Sequence, residues 1–313
     1  MGSNVYRLKL YYSTISRKHH PIMPTSWIGI LLSLVALFAW GFGDFFIQSS
    51  TRAVGVWRTI LFNNLFATIV LFPFVYRDLF TLNLQNFVFL SLLSLVTVFV
   101  SVFNFTALRD GKIAVIEPLL GIELPITVGL SIFFGREVLT LLQGALIALV
   151  FIGIMFASAT RLSHLHYHRR ILEQGVLFAG LGAIAMGLMN FLVGVGSKTT
   201  TPLLTVWFFC AALGIISCIY VTIRKEWRVT KTALYNNWKI TAKQSIVDNA
   251  AWVAYAGATT FIPTSIAATV SESYIALGVF LGIFINRERI KMHQRIGIVI
   301  AVIAVVILAG ISR

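Results

Sequence analysis

The sequence predicts an all-α integral membrane protein in which ten transmembrane helices form two inverted-topology five-helix repeats around a central cavity. Its composition supports this fold, because 58% of the 313 residues are hydrophobic and only 12% are charged. A soluble domain carries roughly 25% charged residues. The apolar runs are about 20 residues long, the length at which a helix crosses a hydrocarbon core of ~30 Å. Strands of membrane barrels are about half as long and alternate in polarity, so a barrel does not fit.

Apolar runs follow one another along the chain with few polar residues between them. Several are joined by very short links, such as Arg109-Asp110-Gly111 and Arg136-Glu137, and such links make neighbouring helices antiparallel. The ten predicted spans are 27–48, 57–76, 87–108, 112–134, 138–159, 174–195, 202–223, 243–260, 264–285 and 293–311.

A helical hairpin of the first half recurs near the C-terminus. Its loop residue Glu137 lies six residues before Gln143, and Glu288 lies six residues before Gln294. A shift of 151 (288 − 137) therefore aligns the two copies. The sequence is interpreted as a duplication in which this hairpin closes each half.

The first spans of the two halves also correspond, with a shift of 146 that places Asp44 on Asn190 (190 − 44). Five spans per half is an odd number, so the second half must enter the membrane from the opposite side. Inverted repeats of this kind are typical of secondary transporters, whose substrate site lies at the repeat interface. The predicted organisation is a basic N-terminal tail over 1–26, a first repeat over 27–160, a linker over 161–173 and a second repeat over 174–313.

The charge of the chain is strongly basic, with 25 Lys and Arg against 11 Asp and Glu. Membrane proteins concentrate Lys and Arg in the loops that flank their spans, where these residues meet anionic headgroups. No long basic run interleaved with aromatic residues occurs in the sequence. We therefore expect the lipid bilayer as a partner and exclude nucleic acid.

Two polar links are longer than the others. The first contains His164, His166 and His168 without a carboxylate or Cys beside them. Alternate histidines do not share a helix face, so an interfacial linker is favoured over a metal site. The second link, residues 224–244, mixes basic and aromatic residues and predicts an amphipathic segment at headgroup level.

The sequence contains no constellation of residues that indicates an enzyme. Cys210 and Cys218 are about two helical turns apart, too far for a disulfide. No His-rich membrane motif, Asp pair or Ser/His/Asp set occurs within the spans. We therefore expect no catalytic residue, cofactor or metal. An intramembrane lipid-modifying enzyme and a structural membrane protein remain the alternatives.

Several motifs together carry a family resemblance. They are a Trp-Gly pair at Trp40, Pro125 twelve residues before the loop residue Glu137, and the Glu-to-Gln spacing found in both halves. With these features the chain resembles the drug/metabolite transporter superfamily, and within it the EamA-type ten-span transporters. It departs from the family at Arg136, which separates a glycine and a glutamate that are adjacent in other members.

The resemblance implies a function and a place in the cell. It implies export or uptake of a small metabolite, often amino-acid-like, by alternating access, with proton coupling and facilitated passage both open. The cavity would be lined by spans one, three, four, six, eight and nine, with spans five and ten behind. We expect the inner (plasma) membrane of a prokaryote, with a homodimer left open.

The distribution of charge and the family resemblance predict opposite orientations of the chain in the membrane. Most Lys and Arg residues fall on the side away from the two termini, and the positive-inside rule then places both termini outside the cytoplasm. The family resemblance implies that both termini lie inside.

Ionisable residues within the apolar spans are the first candidates for the site, because a buried charge in a bilayer is costly and needs a purpose or a partner. No Lys or Arg lies deep in a span. Acids without a fixed cation suit a cationic or zwitterionic solute, or a carboxyl group that carries a proton. The acids within the spans are Asp44, Glu117, Glu123, Asp248 and Glu272.

Helical geometry ranks the glutamates. Glu272 is the first candidate for a substrate or proton site, because it lies near the middle of its span. The repeat aligns it with Gly121, and Glu117, four residues earlier, shares that face and ranks second. A carboxylate at a helix start is the alternative interpretation of Glu117. Glu123 lies about 200° around the helix from Gly121, so we expect it to point elsewhere as a packing residue.

Matched polar positions supply the other candidates. Asp44 and Asn190 are expected to face the cavity from opposite halves, with interhelical hydrogen bonding as the alternative. Asn104 and Tyr255 form a second matched pair, and Trp40 is expected to supply an aromatic wall, with packing as its alternative.

One acid of the spans and two acids of the loops receive structural interpretations. Asp248 lies about a turn and a half from Lys243, which favours an ion pair at the end of the span. Glu137 and Glu288 lie in loops and are interpreted as turn or capping residues.

Overall fold

The computed structural model describes residues 25–110, 116, 119–158, 169–277 and 292–312. Within these residues the secondary structure is helical, without strands. The helices are α1 Ser26–Val54, α2 Val56–Phe80, α3 Leu84–Asp110, α4 Glu123–Phe133, α5 Leu141–Ser158, α6 Arg169–Thr199, α7 Pro202–Ile223, α8 Trp227–Asn236, α9 Trp238–Phe261, α10 Thr264–Glu272 and α11 Met292–Ile311.

Six of the described helices are long and apolar enough to cross a membrane: α1, α2, α3, the Leu177–Thr199 part of α6, α7 and α11. Glu123–Phe133 and Leu141–Ala157 are shorter apolar helices. The prediction of an all-α, multi-pass membrane protein is confirmed. Residues 278–291, which cover the rest of the ninth predicted span and Glu288, lie outside the described residues.

Helix ends follow local chemistry. Pro202 opens α7, where its missing N–H costs no hydrogen bond, and the hydroxyl of Thr201 accepts the amide of Leu204. Gly55 separates α1 from α2 with a φ of 89°, a backbone conformation that side chains disfavour. Arg136 adopts a φ of 52° just after α4, a left-handed conformation that glycine usually supplies at helix ends.

The helices pack in pairs that join the two parts of the chain. The most extensive contacts are α1 along α9, α2 along α7, α3 along α6 and α5 along α11. Next come α4 against α6 and α10 against α1, and α4 also contacts α10. Each pair takes one helix from before residue 159 and one from after residue 168.

The α5–α11 pair is held by small residues on both helices. A Cβ atom on Gly153 would lie 2.7 Å from the backbone nitrogen of Ala301, and one on Gly297 would overlap the backbone nitrogen of Ala157. Membrane helices use small residues in this way because close backbone approach maximises van der Waals contact.

Hydrogen bonds identify which helix ends lie together. At one end, the loop residue Glu137 contacts Lys198 near the end of α6 and Thr264 at the start of α10. At the other end, Arg58 of α2 donates to Glu226 at 2.8 Å. We call these the Glu137 end and the Arg58 end. The predicted amphipathic segment forms α8, which starts beside Glu226 at the Arg58 end.

Two helices are interrupted at equivalent positions. Residues 119–120 are helical, residues 121–122 form a turn, and α4 starts at Glu123. Likewise α10 ends at Glu272, Ser273 forms a turn, and residues 274–277 are helical again. The repeat shift of 151 aligns Ile122 with Ser273, so each half carries a broken helix with a glutamate beside the break.

Candidate functional site

A small polar cavity lies inside the helix bundle, with a volume of about 60 Å³. A cavity of this size holds a few water molecules. Helices from both halves line it: α1, α2, α3 and the start of α4 from the first, and α6, α7, α9 and α10 from the second. Its polar lining consists of Asp44, Asn63, Asn64, Thr97, Ser101, Asn104, Glu123, Asn190, Cys210, Asp248, Asn249 and Glu272.

One group of these side chains surrounds Glu272, which is 1% exposed. Asn190 donates from Nδ2 to Glu272 Oε1 at 2.9 Å. Tyr255 donates from its hydroxyl to the backbone oxygen of Asn190 at 3.2 Å and thereby fixes that residue. The carboxyl groups of Glu123 and Glu272 are also hydrogen-bonded to each other, which requires a proton on one of them. We call Glu123, Asn190 and Glu272 the glutamate pole.

The expectation that Glu123 points away from the cavity is wrong. Glu123 is 2% exposed, lines the cavity and contacts Glu272. The expectation took the face of Gly121 as the cavity face, but a Cβ atom on Gly121 would meet Met155, Ile154 and Ile275 instead. Glu123, which lies about 200° further around the helix, therefore points into the cavity.

A second group of side chains surrounds Asp248. Asn63 donates from Nδ2 to Asp248 Oδ2 at 2.7 Å. Asn249 in turn donates to Asn63 Oδ1 at 2.9 Å, and the Cys210 thiol lies 3.6 Å from Asn249 Oδ1. We call Asn63 and Asp248 the aspartate pole. The expected ion pair with Lys243 is wrong, because Lys243 is exposed while Asp248 is buried and turned into the cavity.

Asp44 is a third acid of the site. Its side chain lines the same cavity from α1. Among the described residues that line the cavity there is no Lys, Arg or His. The site is therefore a cluster of acids from both halves of the chain, held within helices that are otherwise apolar.

Aromatic rings form one wall of the cavity. Trp40 lies 5.1 Å from Trp252 and 6.2 Å from Tyr274 between ring centroids, and all three line the cavity. Tyr255 packs behind Trp40 at 5.6 Å. Aromatic faces beside carboxylates are a favourable environment for an organic cation, because the ring quadrupole and the acids both attract positive charge.

Most of the site residues predicted from the sequence line this cavity, but not all of them do. Trp40, Asp44, Asn104, Asn190 and Glu272 line the cavity. Tyr255 is fully buried and supports Asn190 from behind. The Oδ1 atom of Asn104 is pressed against Gly182 of α6, where a Cβ would overlap it. Glu117 and the linker histidines lie outside the described residues.

Sequence reasoning missed the asparagines of the site. Asn63 and Asn64 belong to α2, and Cys210 belongs to α7. The family resemblance had assigned the lining to other spans. The signal that could have found them is the adjacent amide pair Asn63-Asn64 in an apolar span, because amides in a bilayer need polar partners. As the resemblance implied, none of the described lining residues belongs to α5 or α11.

The loop residue Glu137 makes a separate polar contact between the halves. Its carboxylate accepts the amides of Thr264 and Ser265 at 2.6 and 3.0 Å, and the hydroxyl of Ser265 at 2.7 Å. These amides have no partners within α10. Glu137 is thus a capping residue, and the helix it caps belongs to the other half. Lys198 completes the contact at 3.3 Å.

The surroundings of Glu137 favour its ionised form. Burial alone would raise the pKa of Glu137. The hydrogen bonds from Ser265 and Thr264 and the charge of Lys198 outweigh burial, so the pKa of Glu137 lies below its ordinary value of 4.5.

Metal binding has no support in the described part of the chain. No group of three or more His, Cys, Asp or Glu residues there is arranged to hold a metal ion. The acids of the cavity are instead surrounded by amides and aromatic rings.

Comparisons with known proteins agree with this architecture. The sequence model of the EamA-like transporter family matches residues 27–159 and again residues 173–310. An uncharacterized protein of Methanocaldococcus jannaschii is 29% identical over 130 residues, which are 41% of this chain and 95% of that protein. A solved crystal structure superimposes with a TM-score of 0.70 at 14% identity, over 91% of this chain and 97% of the other. This last likeness shows a shared fold.

Proposed function

Because the chain belongs to the EamA-like transporter family, and is therefore a multi-pass membrane transporter of the drug/metabolite transporter superfamily, we propose that it is a secondary transporter for a small cationic or zwitterionic metabolite. The observation that carries this proposal is the acid-lined cavity, which both halves of the chain contribute to. A structural membrane protein would have no use for buried acids, since each one is costly in a bilayer.

The proposed architecture is ten spans in two inverted five-helix repeats. The helix pairs support it. The ninth, tenth and eleventh helices contain the eighth, ninth and tenth spans, because α8 is not a span. Replacing each span by its counterpart in the other half turns the α1–α9 pair into the α6–α3 pair. The same replacement maps the pairs α2–α7, α4–α10 and α5–α11 onto themselves. Such a pattern is what a pseudo-twofold axis through the cavity requires. The matched helix breaks beside Glu123 and Glu272 fit the same axis.

The proposed mechanism is alternating access. The glutamate and aspartate poles would bind the solute, with Trp40 and Asn104 as further walls and Glu117 as a further candidate acid. The cavity of about 60 Å³ is smaller than the 300 Å³ or more typical of ligand sites, so the solute enters only when one end of the bundle opens. Proton-coupled export fits the shared proton of Glu123 and Glu272, because the arrival of a cation there can displace it.

The proposed location is the plasma membrane of a prokaryote, which is consistent with the archaeal relative. An intramembrane enzyme is the weaker candidate, because the matched family is a family of transporters.

Reconstitution tests the proposal. Purified protein in liposomes should move a radiolabelled solute from a screen of amines, amino acids and nucleosides, faster than protein-free liposomes do. An imposed pH gradient should change the rate if transport is coupled to protons. Failure of every solute, with protein shown to be folded in the same liposomes, would contradict transport.

A further inference from the structure

One face of α9 is polar from near the start of the helix to the cavity. Its side chains are spaced by three and four residues, which places them on one side of a helix. All of them are buried: Thr241, Gln244, Ser245, Asp248 and Asn249. Asp248 and Asn249 line the cavity, whereas the other three lie between it and the Arg58 end, where α9 begins. A polar stripe therefore leads from that end of the bundle to Asp248.

The stripe continues onto α1 and α2 at the same level. Asn63 of α2 donates to Asp248 of α9, and both helices start at the Arg58 end. Four residues earlier, about one turn nearer that end, are Thr59 on α2 and Gln244 on α9. Thr59 is buried, and its hydroxyl lies 3.3 Å from that of Ser50 on α1. Buried polar groups from three helices thus extend beyond the cavity towards the Arg58 end.

The amide of Gln244 shows that the stripe does more than join helices. Gln244 is fully buried, and neither its amide oxygen nor its amide nitrogen has a hydrogen-bond partner among the described residues. The hydroxyl of Ser245 beside it also lacks a partner there. An amide that joined helices would bond across to a neighbour, as Asn63 does to Asp248. Buried polar groups without protein partners are satisfied by water, so this face is suited to contact with water.

The opposite end of the bundle is closed by contacts between the two halves. Glu137 of the first half accepts the amides of Thr264 and Ser265 at 2.6 and 3.0 Å. Thr201 at the start of α7 donates to Asp78 near the end of α2 at 3.0 Å. Passage through the Glu137 end requires these hydrogen bonds to break.

The cavity also comes closer to the Arg58 end than to the Glu137 end. Among the described lining residues, Leu108 lies two residues before α3 ends at Asp110, at the Arg58 end. The lining residue nearest the Glu137 end is Phe209, seven residues after α7 begins at Pro202. At 1.5 Å per residue these spacings are roughly 3 and 10 Å. The shorter way out of the cavity therefore leads to the Arg58 end.

From these observations we propose that the polar face of α9 from Thr241 to Asp248 lines a water-filled route between the cavity and the Arg58 end. The route opens in the half of the transport cycle in which the contacts of Glu137 hold the opposite end shut. The inference deepens the proposed function and rests on it, because it assigns one mouth of the pathway to the same cavity. When the helices around the stripe separate, its hydroxyls and amide face water and are satisfied.

Labelling of a single cysteine tests the route. The native Cys210 and Cys218 are replaced by alanine in the full chain, and Ser245→Cys introduces one thiol. The protein is held in lipid nanodiscs, which leave both ends accessible, and treated with a charged, membrane-impermeant methanethiosulfonate. Mass spectrometry follows the modified fraction, because only a thiol that can ionise forms the reactive thiolate. Gln244→Cys is the second variant on the stripe if Ser245→Cys does not fold.

Two control positions lie on the same helix. Thr259 is equally buried and shares the face of Asp248, because eleven residues make three turns, but it lies on the Glu137 side of the cavity. Ile246 is exposed on the outer surface of the bundle, where lipid excludes the reagent. Ser245→Cys should react at least about tenfold faster than Thr259→Cys or Ile246→Cys. A rate at Ser245→Cys no higher than at either control would overturn the proposal.

The contacts of Glu137 give a second readout. Glu137→Ala removes the cap of α10, so labelling of Thr259→Cys should rise about fivefold, the shift in population expected for the loss of one cap. Labelling of Ile246→Cys should stay constant, which excludes general unfolding. Unchanged labelling of Thr259→Cys would overturn the assignment of the Glu137 end as the closed one.

The liposome screen keeps the route and the transporter apart. Movement of a solute without preferential labelling of Ser245→Cys removes the route and leaves the transporter. Labelling of the stripe with movement of no solute removes the transporter, because the labelling experiment needs no solute.

Discussion

The carboxyl groups of Glu123 and Glu272 are hydrogen-bonded to each other although they come from different halves of the chain. Each one stands beside a break in its own helix. This bond can exist only while one proton remains on the pair. In the proposed transport cycle, this pair is the point in the cavity where the charge of a solute would compete with a proton.

We expect Glu272→Gln to abolish coupled transport while leaving the protein folded. Glutamine can still donate to Glu123 and accept from Asn190, so the contacts persist while the exchangeable proton and the charge are lost. Solute uptake into liposomes should fall by at least about tenfold, as removal of one charge-assisted contact predicts. The melting temperature in detergent should stay close to that of the wild type, and wild-type transport by this variant would contradict the assignment.

Asn63→Ala should destabilise the protein by about 1–3 kcal/mol, because Asp248 loses its donor and stays buried. Asn249 loses the Asn63 Oδ1 acceptor at the same time. The measurement is the denaturant dependence of unfolding in detergent. Asn64→Ala is the control, since the Asn64 amide donates only to its own helix at Ile60. Equal losses for both variants would show that the contact with Asp248 adds no stability.

Removal of the charge at Glu137 should weaken the cap of α10. Glu137→Gln keeps an acceptor for Thr264 and Ser265 but loses the attraction to Lys198 and to the helix dipole, at a cost of about 1 kcal/mol. Thermal unfolding measures the difference. Asp78→Asn serves as the control, because it removes one acidic charge near the end of α2 and keeps an acceptor for the hydroxyl of Thr201.

The effect of Glu137 should also depend on pH, with a defined sign. The folded-state pKa of Glu137 is lowered from its ordinary value of 4.5. Its contribution is therefore complete above that ordinary value and is lost as the pH falls through the lowered one. The stability gap between wild type and Glu137→Gln should be full near neutral pH and close in more acidic solution. A gap that widened with acid would contradict the contact.

Two glycine-to-alanine changes on α11 should have opposite effects. Gly297→Ala places a methyl group against the backbone of α5 at Ala157, and forced separation of packed helices costs about 1–3 kcal/mol. Gly310→Ala adds the same methyl group where no atom lies within 4 Å, so alanine's better helix propensity should leave stability unchanged or raised. Unfolding in detergent compares them, and similar values would argue against close packing of α5 on α11.

Arg136→Gly should stabilise the protein by about 1 kcal/mol, because glycine adopts a positive φ without the penalty of a side chain. Arg136→Ala removes the same charge and retains the Cβ, so it should bring no such gain. Melting temperatures separate the two explanations: equal shifts in both variants would assign the effect to the charge.

The sequence predicts most of the helices because their length and apolar content are set by the bilayer. Predicted spans such as 57–76 and 202–223 fall within or on the helices Val56–Phe80 and Pro202–Ile223. A membrane helix must satisfy its backbone internally, so local composition is enough to locate it.

The site was less predictable, because it depends on where helices break and which faces meet. Repeat alignment found Asp44 and Asn190, and depth within the span found Glu272. The ranking failed for Glu123, since its reference residue Gly121 faces α5 and not the cavity. Asp248 was misassigned because its sequence neighbour Lys243 is closer along the chain than its partner Asn63, which only the α2–α9 contact brings near.

The interruptions before Glu123 and after Glu272 have a mechanical consequence. A continuous helix tilts as one rod, so movement at either end would displace the cavity as well. A rod divided at the level of the carboxyl groups can swing its outer segment while the segment beside the solute stays in place. In the proposed alternating-access cycle, the two breaks would serve as hinges at the depth of the bound solute in each half, so that one mouth of the pathway opens while the opposite mouth stays sealed.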